Sequence, residues 1–316
     1  MPGPVLIYSR FPKALMKRIS EKFDLIDAAG KPPVTVFSKD ELANVRALIT
    51  AGGQSLRADV MDTLPNLGAI VCYGTGYDGV DLEAAKARNI VVANSPAANA
   101  SAVADLAMML MLTATRKIIP ADQYVRSGGW AAATPSPLMT APAGLPGAKI
   151  GVYGMGAIGR KIASRAAAFE MDVGYFNRTN YADLPYTYFP TLEGLVDWCD
   201  ILMVAVRAGA DTQHIINADM LKRLGPNGTV VNISRGSTID EKALVAALRD
   251  KTIAAAALDV FETEPHKPDA LTEFPNVVVT PHIGGHTLES HAGMQGCVIQ
   301  NLTAFYAGKG VAHPVT

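Results

Sequence analysis

The sequence predicts an α/β protein with two domains, each built on a parallel β-sheet, and a cleft between the domains. Its 316 residues are enough for two hydrophobic cores. Short apolar runs alternate with amphipathic runs of helical period, as in parallel strands joined by crossover helices. A glycine-rich turn separates one such strand from its helix at residues 154–159.

Composition narrows the class of protein. Hydrophobic residues make up 49% and charged residues 18% of the chain, which is typical of a globular α/β protein. The net charge is −1 without a long basic run, so no nucleic-acid partner is expected. Apolar runs are interrupted by charged residues and the N-terminus lacks a signal-peptide pattern, so no membrane partner is expected. Cys72, Cys199 and Cys297 lie in apolar runs without metal-binding spacing, which predicts buried thiols in a cytoplasmic protein.

Residues 149–179 predict a strand, a tight turn, a helix and a second strand. The strands are predicted at 150–153 and 173–176, and the helix at 158–171. Three glycines between them follow the G-x-G-x-x-G spacing that, in this context, is a dinucleotide-binding fingerprint of a Rossmann-like domain. The helix N-terminus would offer free N–H groups to a pyrophosphate. Cofactor contacts are therefore expected at Gly154, Met155, Gly156, Ala157, Ile158 and Gly159.

The end of the second strand indicates which dinucleotide binds. An acidic residue at this point would bind the ribose 2′-hydroxyl of NAD, whereas an arginine accommodates a 2′-phosphate. Here the chain has Asn177, Arg178 and Thr179, with no acid. The sequence therefore favours NADP(H), with NAD(H) as the alternative.

The other sheet is predicted from strands at 4–8, 47–50, 69–73 and 90–93. Two glycine-rich loops follow two of these strands, and ligands of such sheets bind beyond the carboxyl ends of the strands. Their exposed N–H groups could bind a small anion, or the glycines could serve only to allow positive φ. The loop residues are Gly52, Gly53, Gly74, Thr75 and Gly76.

A long apolar helix is predicted at 101–119, closed by Pro120. An irregular stretch follows at 128–147, of a length that is often functional or intersubunit. The final helix, 288–307, is expected to pack back on the first domain. This gives a discontinuous substrate-binding domain, 1–97 plus 286–316, and a dinucleotide-binding domain, 98–285.

Three successive strand ends carry chemistry suited to reducing a carbonyl group. Arg235, Glu264 and His282 each follow one of the strands predicted at 229–233, 254–258 and 277–280. Arginine can hold a carboxylate by two hydrogen bonds, and a glutamate beside a histidine stabilises the imidazolium as a general acid. Each residue alone could be structural. His286 follows His282 by four, but two intervening glycines argue against a helical metal face, so no metal is expected.

These motifs, together with 154–159, 233–236, 258–265 and 281–284, resemble the D-isomer-specific 2-hydroxyacid dehydrogenase family over nearly the whole chain. The resemblance implies that Arg235 binds a 2-oxo acid, His282 donates the proton and Glu264 supports His282. It implies that the amides of Thr75 and Gly76 hold the substrate carboxylate and that Asn99 lies near the nicotinamide. Further cofactor contacts are implied at Val103, Val206, Thr212, Ile233, Ser234, Asp259 and Gly284.

Within the family, the 177–179 triplet and the Gly-Gly-Trp at 128–130 resemble the NADPH-preferring glyoxylate/hydroxypyruvate reductases. That subgroup implies a homodimer in which Trp130 reaches the partner's active site, although Trp130 could instead fill the dimer core. Arg207 departs from the small residue common in the family. It could add a cation for the 2′-phosphate or face solvent.

Two other functions remain open on the sequence. One is an NAD-linked D-lactate or D-phosphoglycerate dehydrogenase. A phosphorylated substrate would need several basic side chains near the glycine-rich loops, and Arg57 is the sole basic residue close to them in the sequence. The other is a dinucleotide-sensing, corepressor-like binding protein. The absence of an added regulatory tail in the sequence favours the enzyme, and the sequence leaves its physiological 2-oxo acid open.

Overall fold

The computed structural model describes residues 3–136, 144–265 and 267–315. Strands are numbered β1 to β12 in chain order: Val5–Ile7, Leu25–Asp27, Ala47–Thr50, Ala69–Cys72, Val91–Ala93, Lys149–Tyr153, Asp172–Phe176, Thr187–Phe189, Ile201–Val204, Thr229–Asn232, Ala255–Leu258 and Val277–Val279. Helices are numbered α1 to α12 in the same way: Lys13–Ser20, Lys39–Ala43, Ala58–Asp62, Leu82–Ala87, Ala100–Thr115, Ile118–Arg126, Ala157–Ala168, Leu192–Trp198, Ala218–Leu224, Glu241–Arg249, Asp269–Thr272 and Leu288–Tyr306. Among the described residues, no helix has both the length and the apolarity needed to cross a membrane.

The chain divides into two compact units. Unit 1 comprises residues 1–99 and 286–316, and unit 2 comprises 100–285. The predicted boundaries were 97/98 and 285/286. The assignment of substrate binding to unit 1 stays a prediction.

Unit 1 contains a parallel five-stranded sheet with the order β2-β1-β3-β4-β5. Strands β3 and β4 are buried along their whole length, as expected for a parallel sheet covered on both faces. One core packs between the sheet and helices α1 and α12, since Met16 and Val298 share a cluster with Val71. The chain reverses its direction of sheet growth between β1 and β3, and ligands of doubly wound sheets bind near such a switch point.

Unit 2 contains a parallel seven-stranded sheet with the order β12-β11-β10-β9-β6-β7-β8. Its switch point lies between β6 and β9, which pair from Ile150 with Ile201 to Tyr153 with Val204. Helices α5 and α7 cover one face, and a second core that includes Leu195 covers the other. The turn predicted to bind a dinucleotide therefore follows β6 directly at the switch point.

The prediction of a single long helix at 101–119 is wrong at the C-terminal end. Helix α5 stops at Thr115, Lys117 takes a left-handed φ of 51°, and α6 begins at Ile118. Pro120 lies inside the first turn of α6, where a missing N–H costs little, rather than closing a helix. The prediction of an irregular stretch at 128–147 falls partly on residues 137–143, which lie outside the described residues.

Two of the three cysteines are buried as predicted, and the third is not. Cys72 and Cys199 are buried, and burial raises the pKa of each thiol to about 12. Cys297 on α12 is only half-buried. None of the three is in a disulfide among the described residues.

Candidate active site and dinucleotide-binding site

In the turn after β6, two of the three glycines are required by the backbone conformation and packing of the protein, and the third faces open space. Gly154 has a φ of 100°, and a Cβ there would lie 2.7 Å from the backbone nitrogen of Val206. A Cβ at Gly159 would lie 1.9 Å from the carbonyl oxygen of Gly154, so this glycine lets α7 pack on β6. A Cβ at Gly156 meets no atom within 4 Å. Open space at the N-cap of α7 fits a pyrophosphate approaching the backbone.

The predicted cofactor triplet after β7 lies beside this turn. The backbone N–H of Met155 donates to Oδ1 of Asn177 at 3.4 Å, and Nδ2 of Asn177 donates to the carbonyl of Thr179 at 3.3 Å. Nη1 of Arg178 lies 4.0 Å from Oδ2 of Asp211, and the Arg178 side chain is 91% exposed. The guanidinium is thus accessible to a 2′-phosphate, with a carboxylate beside it that sequence reasoning missed.

The loop after β9 carries three of the predicted contacts. Oγ1 of Thr212 accepts a hydrogen bond from the Gly209 N–H at 2.8 Å, which holds the loop in a tight turn. Val206 is half-buried against the glycine turn and Arg207 is exposed. Desolvation and the positive charge of Arg235 both lower the pKa of Arg207. Arg207 therefore lies within electrostatic reach of Arg235, a neighbour that the sequence analysis did not anticipate.

Beyond β10, Asn232 organises the turn that presents Arg235. Its Oδ1 accepts from the Ser234 hydroxyl at 2.9 Å, and its Nδ2 donates to the Arg235 carbonyl at 2.9 Å. A Cβ at Gly236 would lie 1.8 Å from the carbonyl carbon of Phe261, so glycine lets this turn contact the loop after β11. Ile233 is buried beside Ser234. The structure thereby fixes the backbone on both sides of Arg235.

His282 and Glu264 form a direct pair at the ends of β12 and β11. Nδ1 of His282 donates to Oε2 of Glu264 at 2.5 Å, and the other carboxylate oxygen accepts from the Phe261 N–H at 2.8 Å. Burial raises the pKa of Glu264, but these two hydrogen bonds and the charges of His282 and Arg235 outweigh it and leave the pKa lowered. The carboxylate therefore stays ionised near neutral pH and fixes the imidazole with Nε2 directed away from it.

Asp259 anchors the segment that carries His282. It is 1% exposed, and its oxygens accept from the Thr280 hydroxyl at 2.6 Å and from the N–H groups of Ile283 and Gly284, each at 2.8 Å. A Cβ at Gly284 would lie 3.4 Å from Val103 on α5. Asp259 thus has a structural role within unit 2, while its implied contact with the nicotinamide stays a prediction.

The pair of His282 and Glu264 borders a cavity of about 460 Å³ on the surface of unit 2. The remaining lining is mostly apolar and comes from the segments after β11 and at the end of β12: Phe261, Pro265, Pro268, Val279, Thr280 and Pro281. Small molecules can therefore approach the pair from this side.

In unit 1 the two glycine-rich loops contact each other. A Cβ at Gly52 would lie 1.6 Å from the carbonyl oxygen of Gly76, so this glycine is needed for the close approach. Gly53 and Gly74 have no atom within 4 Å of a Cβ and face open space. The Thr75 hydroxyl donates to Oδ1 of Asn99 at 2.9 Å. The candidate substrate residues of unit 1 are thus brought together, with Asn99 supporting Thr75.

Trp130 lies on the surface of unit 2. It follows α6, and 71% of its surface is exposed. Further large apolar side chains on α5 and α6 are exposed in the same way: Met109, Ile118, Ile119 and Val125. Trp130 therefore does not belong to the hydrophobic core of its own unit.

Sequence reasoning missed several residues that shape the site. Thr280 and Asn232 fall in the predicted strands 277–280 and 229–233 without a role, although each is a hydrogen-bonding residue at a strand end. Asp211 and His214 carried no motif signal. Glu262, whose side chain lies 2.7 Å from that of His214, belongs to the 258–265 motif but had no predicted role. Within the described residues no cluster of three or more metal-ligating side chains is found.

The site and the fold define a dinucleotide-dependent oxidoreductase, and comparison with known proteins gives its family. A model of the D-isomer-specific 2-hydroxyacid dehydrogenase NAD-binding domain matches residues 108–284. The chain belongs to the D-isomer-specific 2-hydroxyacid dehydrogenase family. The predicted family, its enzymatic class, the two parallel-sheet architecture and a nicotinamide dinucleotide cofactor are thereby confirmed.

Three relatives illustrate what the chain resembles. It is 40% identical over 273 residues to a 2-ketogluconate reductase of Gluconobacter oxydans (strain 621H), covering 86% of each chain. It is 35% identical over 311 residues to glyoxylate/hydroxypyruvate reductase A HPR2 of Arabidopsis thaliana, covering 98% of each. An NADPH-dependent glyoxylate/hydroxypyruvate reductase from Sinorhizobium meliloti, solved with NADP and malonate, aligns with a TM-score of 0.91 at 36% identity, covering 100% of this chain and 97% of that one.

Proposed function

We propose that this protein reduces a small 2-oxo acid of the glyoxylate and hydroxypyruvate class to the D-2-hydroxy acid with NADPH. The observation that carries the proposal is the hydrogen bond of 2.5 Å between His282 and Glu264. This pair stands at the carboxyl edge of the sheet whose switch point bears the glycine turn. An acid and a dinucleotide site on one sheet edge are what reduction of a carbonyl requires.

The preference for NADPH rests on Arg178. Its exposed guanidinium follows β7, where a 2′-phosphate would meet it, and no acid occupies 177–179. The related Sinorhizobium meliloti reductase is NADPH-dependent and holds NADP. NAD(H) is the slower alternative. When bound, the reduced nicotinamide supplies the hydride, and the residues at 154–159 and 177–179 hold the rest of the molecule.

In this function His282 is the proton donor. The carboxylate of Glu264 accepts from Nδ1 of His282 and thereby stabilises the imidazolium, which leaves Nε2 to donate a proton to the carbonyl oxygen of the substrate. After the transfer, the neutral imidazole keeps its hydrogen bond to Glu264, so the ring does not change its orientation. The buried anchor at Asp259 holds this segment in place between turnovers.

Arg235 is proposed to bind the carboxylate and carbonyl groups of the substrate. Its guanidinium lies within electrostatic reach of Glu264, and its backbone is fixed on both sides by Asn232 and Gly236. We also propose that unit 1 binds substrate through the N–H groups of Thr75 and Gly76 and through the loop at 52–53. The open space at Gly53 and Gly74 supports an anion at these loops.

A longer substrate is the second candidate. The relative with 40% identity is named a 2-ketogluconate reductase, and 2-ketogluconate is also a 2-oxo acid. Both substrates need the same proton donor and carboxylate-binding cation, so they differ only in how the site accepts the chain beyond the carbonyl.

The protein is further proposed to be a cytoplasmic homodimer. The exposed apolar side chains of α5 and α6, together with Trp130, form a surface of the kind that protein interfaces bury. Trp130 would either enter the partner's active site or fill the dimer core. Its exposure of 71% supports burial by a second copy in either case.

The proposal is tested by initial rates of NADPH oxidation with glyoxylate, hydroxypyruvate and 2-ketogluconate, each repeated with NADH. We expect turnover with at least one of the three, a higher kcat/KM with NADPH than with NADH, and the D-isomer of glycerate from hydroxypyruvate. No turnover with any 2-oxo acid would refute the enzymatic assignment, and a preference for NADH would refute the role of Arg178.

A further inference from the structure

A second histidine pair stands beside the proposed active site in unit 2. Nε2 of His214 lies 2.7 Å from Oε1 of Glu262. Glu262 also exchanges two hydrogen bonds with Glu241, the first residue of α10: its N–H donates to Oε1 of Glu241 at 2.6 Å, and its Oε1 accepts from the Glu241 N–H at 3.3 Å.

His214 is held by the structure in an unfavourable backbone conformation. Its φ is 48°, in the left-handed region that few residues other than glycine adopt. The His214 N–H donates to the carbonyl of Ser237 at 2.8 Å, and the Ile216 N–H donates to the carbonyl of Thr238 at 3.0 Å. A strained residue that is fixed by several bonds is a candidate for a functional role.

The pair joins three loops that bear proposed site residues. His214 follows Thr212 on the loop after β9, and its backbone bonds to the turn that follows Arg235. Glu262 is two residues before Glu264 on the loop after β11. A displacement at Glu262 would therefore move the carboxylate that orients His282.

The two sides of this loop are fixed by different contacts. Toward β12, the Phe261 N–H bonds to Glu264, and Asp259 anchors the segment on both sides of His282. Toward α10 and the loop after β9, Glu262 bonds to Glu241 and His214. A carboxylate that must hold an imidazole at 2.5 Å tolerates little drift, since a misplacement of about 1 Å costs roughly a hundredfold in rate.

We propose that His214 is a positioning residue: through Glu262 it fixes the loop that places Glu264 against His282. The inference rests on the proposed function, since it assigns His214 to support of the proton donor. His214 itself touches neither substrate nor hydride in this role. Its imidazole acts by donating a hydrogen bond from Nε2 to Oε1 of Glu262.

The test compares variants of the full-length protein that keep or remove this donor. His214→Ala should lower kcat for the best 2-oxo acid by roughly 10- to 100-fold, with the KM for NADPH within about twofold of wild type. The alkaline fall of kcat should move to lower pH, because a displaced Glu264 stabilises the imidazolium of His282 less. His214→Gln places an amide N–H near the position of Nε2 and should restore most of kcat and the pH profile. His214→Asn, which is too short to reach Glu262, should not.

A double-mutant cycle tests whether His214 acts on Glu264 through Glu262. His214→Ala combined with Glu262→Ala should cost little more than Glu262→Ala alone, because Glu262→Ala already removes the interaction with His214 together with the hydrogen bond from the Glu241 N–H. His313→Ala is the matched control: this imidazole bonds to Gln300 in unit 1 at 3.0 Å and should leave kcat unchanged. If His214→Ala does not fold, the comparison of His214→Gln with His214→Asn decides the matter.

An unchanged kcat and pH profile in folded His214→Ala, or equal activity of the Gln and Asn variants, would overturn the inference. So would a loss confined to the KM for NADPH, since His214 would then act through the loop of Thr212 alone. These outcomes differ from failure of the proposed function, in which the wild-type protein itself shows no turnover.

Discussion

Replacing Gly156 by alanine separates cofactor binding from folding. A Cβ at this position meets no atom within 4 Å, and its φ of −78° is open to any residue. Alanine is a poorer N-cap than glycine by up to about 1 kcal/mol, while the less flexible unfolded chain offsets about 0.4–1 kcal/mol. The two terms nearly cancel, so Tm should change by no more than about 4 °C.

The cofactor should respond quite differently. The added methyl group would occupy the open space through which we propose that a pyrophosphate approaches the N–H groups at the start of α7. We expect Gly156→Ala to weaken NADPH and NADH alike by at least about tenfold, or about 1.4 kcal/mol. Fluorescence titration of both cofactors, with thermal unfolding of the same preparation, measures the two effects together.

Gly159→Ala is the matched structural control. Its Cβ would lie 1.9 Å from the Gly154 carbonyl oxygen, so helix α7 must shift from β6. Overpacking of this kind costs about 1–3 kcal/mol of folding free energy. Gly159→Ala should therefore lower the Tm, whether or not its affinity for the cofactor changes. A stable Gly156→Ala protein that binds NADPH as tightly as wild type would refute the placement of the pyrophosphate at this turn.

Three further predictions concern the cofactor preference, the ion pair and the oligomer. Arg178→Gln should weaken the binding of NADPH about tenfold or more and leave the binding of NADH nearly unchanged. Asp211→Asn removes the negative charge 4.0 Å from Arg178 and should tighten the binding of NADPH about threefold. Equal effects of either substitution on both cofactors would contradict the role of Arg178. Because the folded-state pKa of Glu264 is lowered, its ionised form adds stability above the ordinary pKa that is lost as pH falls through the lowered value. Glu264→Gln should therefore be less stable than wild type in denaturant titrations near pH 7, with the difference shrinking as the pH falls through the lowered pKa of Glu264, and a difference that does not change with pH would argue against the pair. Trp130→Ala should weaken the proposed dimer in sedimentation experiments without lowering the Tm of a monomer, and an unchanged association constant would exclude Trp130 from the proposed interface.

Much of the fold follows from local patterns in the sequence. Strand β3 was predicted with its observed bounds, because three apolar residues and Thr50, all buried, stand between Arg46 and a glycine-rich loop. Helix α10 likewise begins at a signal that is local in the sequence, since the side chain of Asp240 caps it by accepting from the Ala243 N–H. The junction of α5 and α6 was mispredicted, because the left-handed φ of Lys117 has no sequence signal and proline suits both a helix end and a first turn.

The site could be predicted where a residue type sits at a strand end, and not where its role depends on side-chain partners. Parallel strands end at one sheet edge, which is why Arg235, Glu264 and His282 could be grouped from the sequence. The three hydrogen bonds to Asp259 and the pair of His214 with Glu262 depend on how three loops fold over that edge. Short-range patterns do not encode such contacts.

The most direct test of the account is the rate of a single turnover in His282→Ala, measured with saturating NADPH and the best 2-oxo acid. Removal of the general acid should lower that rate roughly 10²- to 10⁴-fold, while the Kd for NADPH stays within about twofold of wild type. A single-turnover rate that survives the substitution would contradict the assignment of His282 as the proton donor, and with it the proposed chemistry of the site.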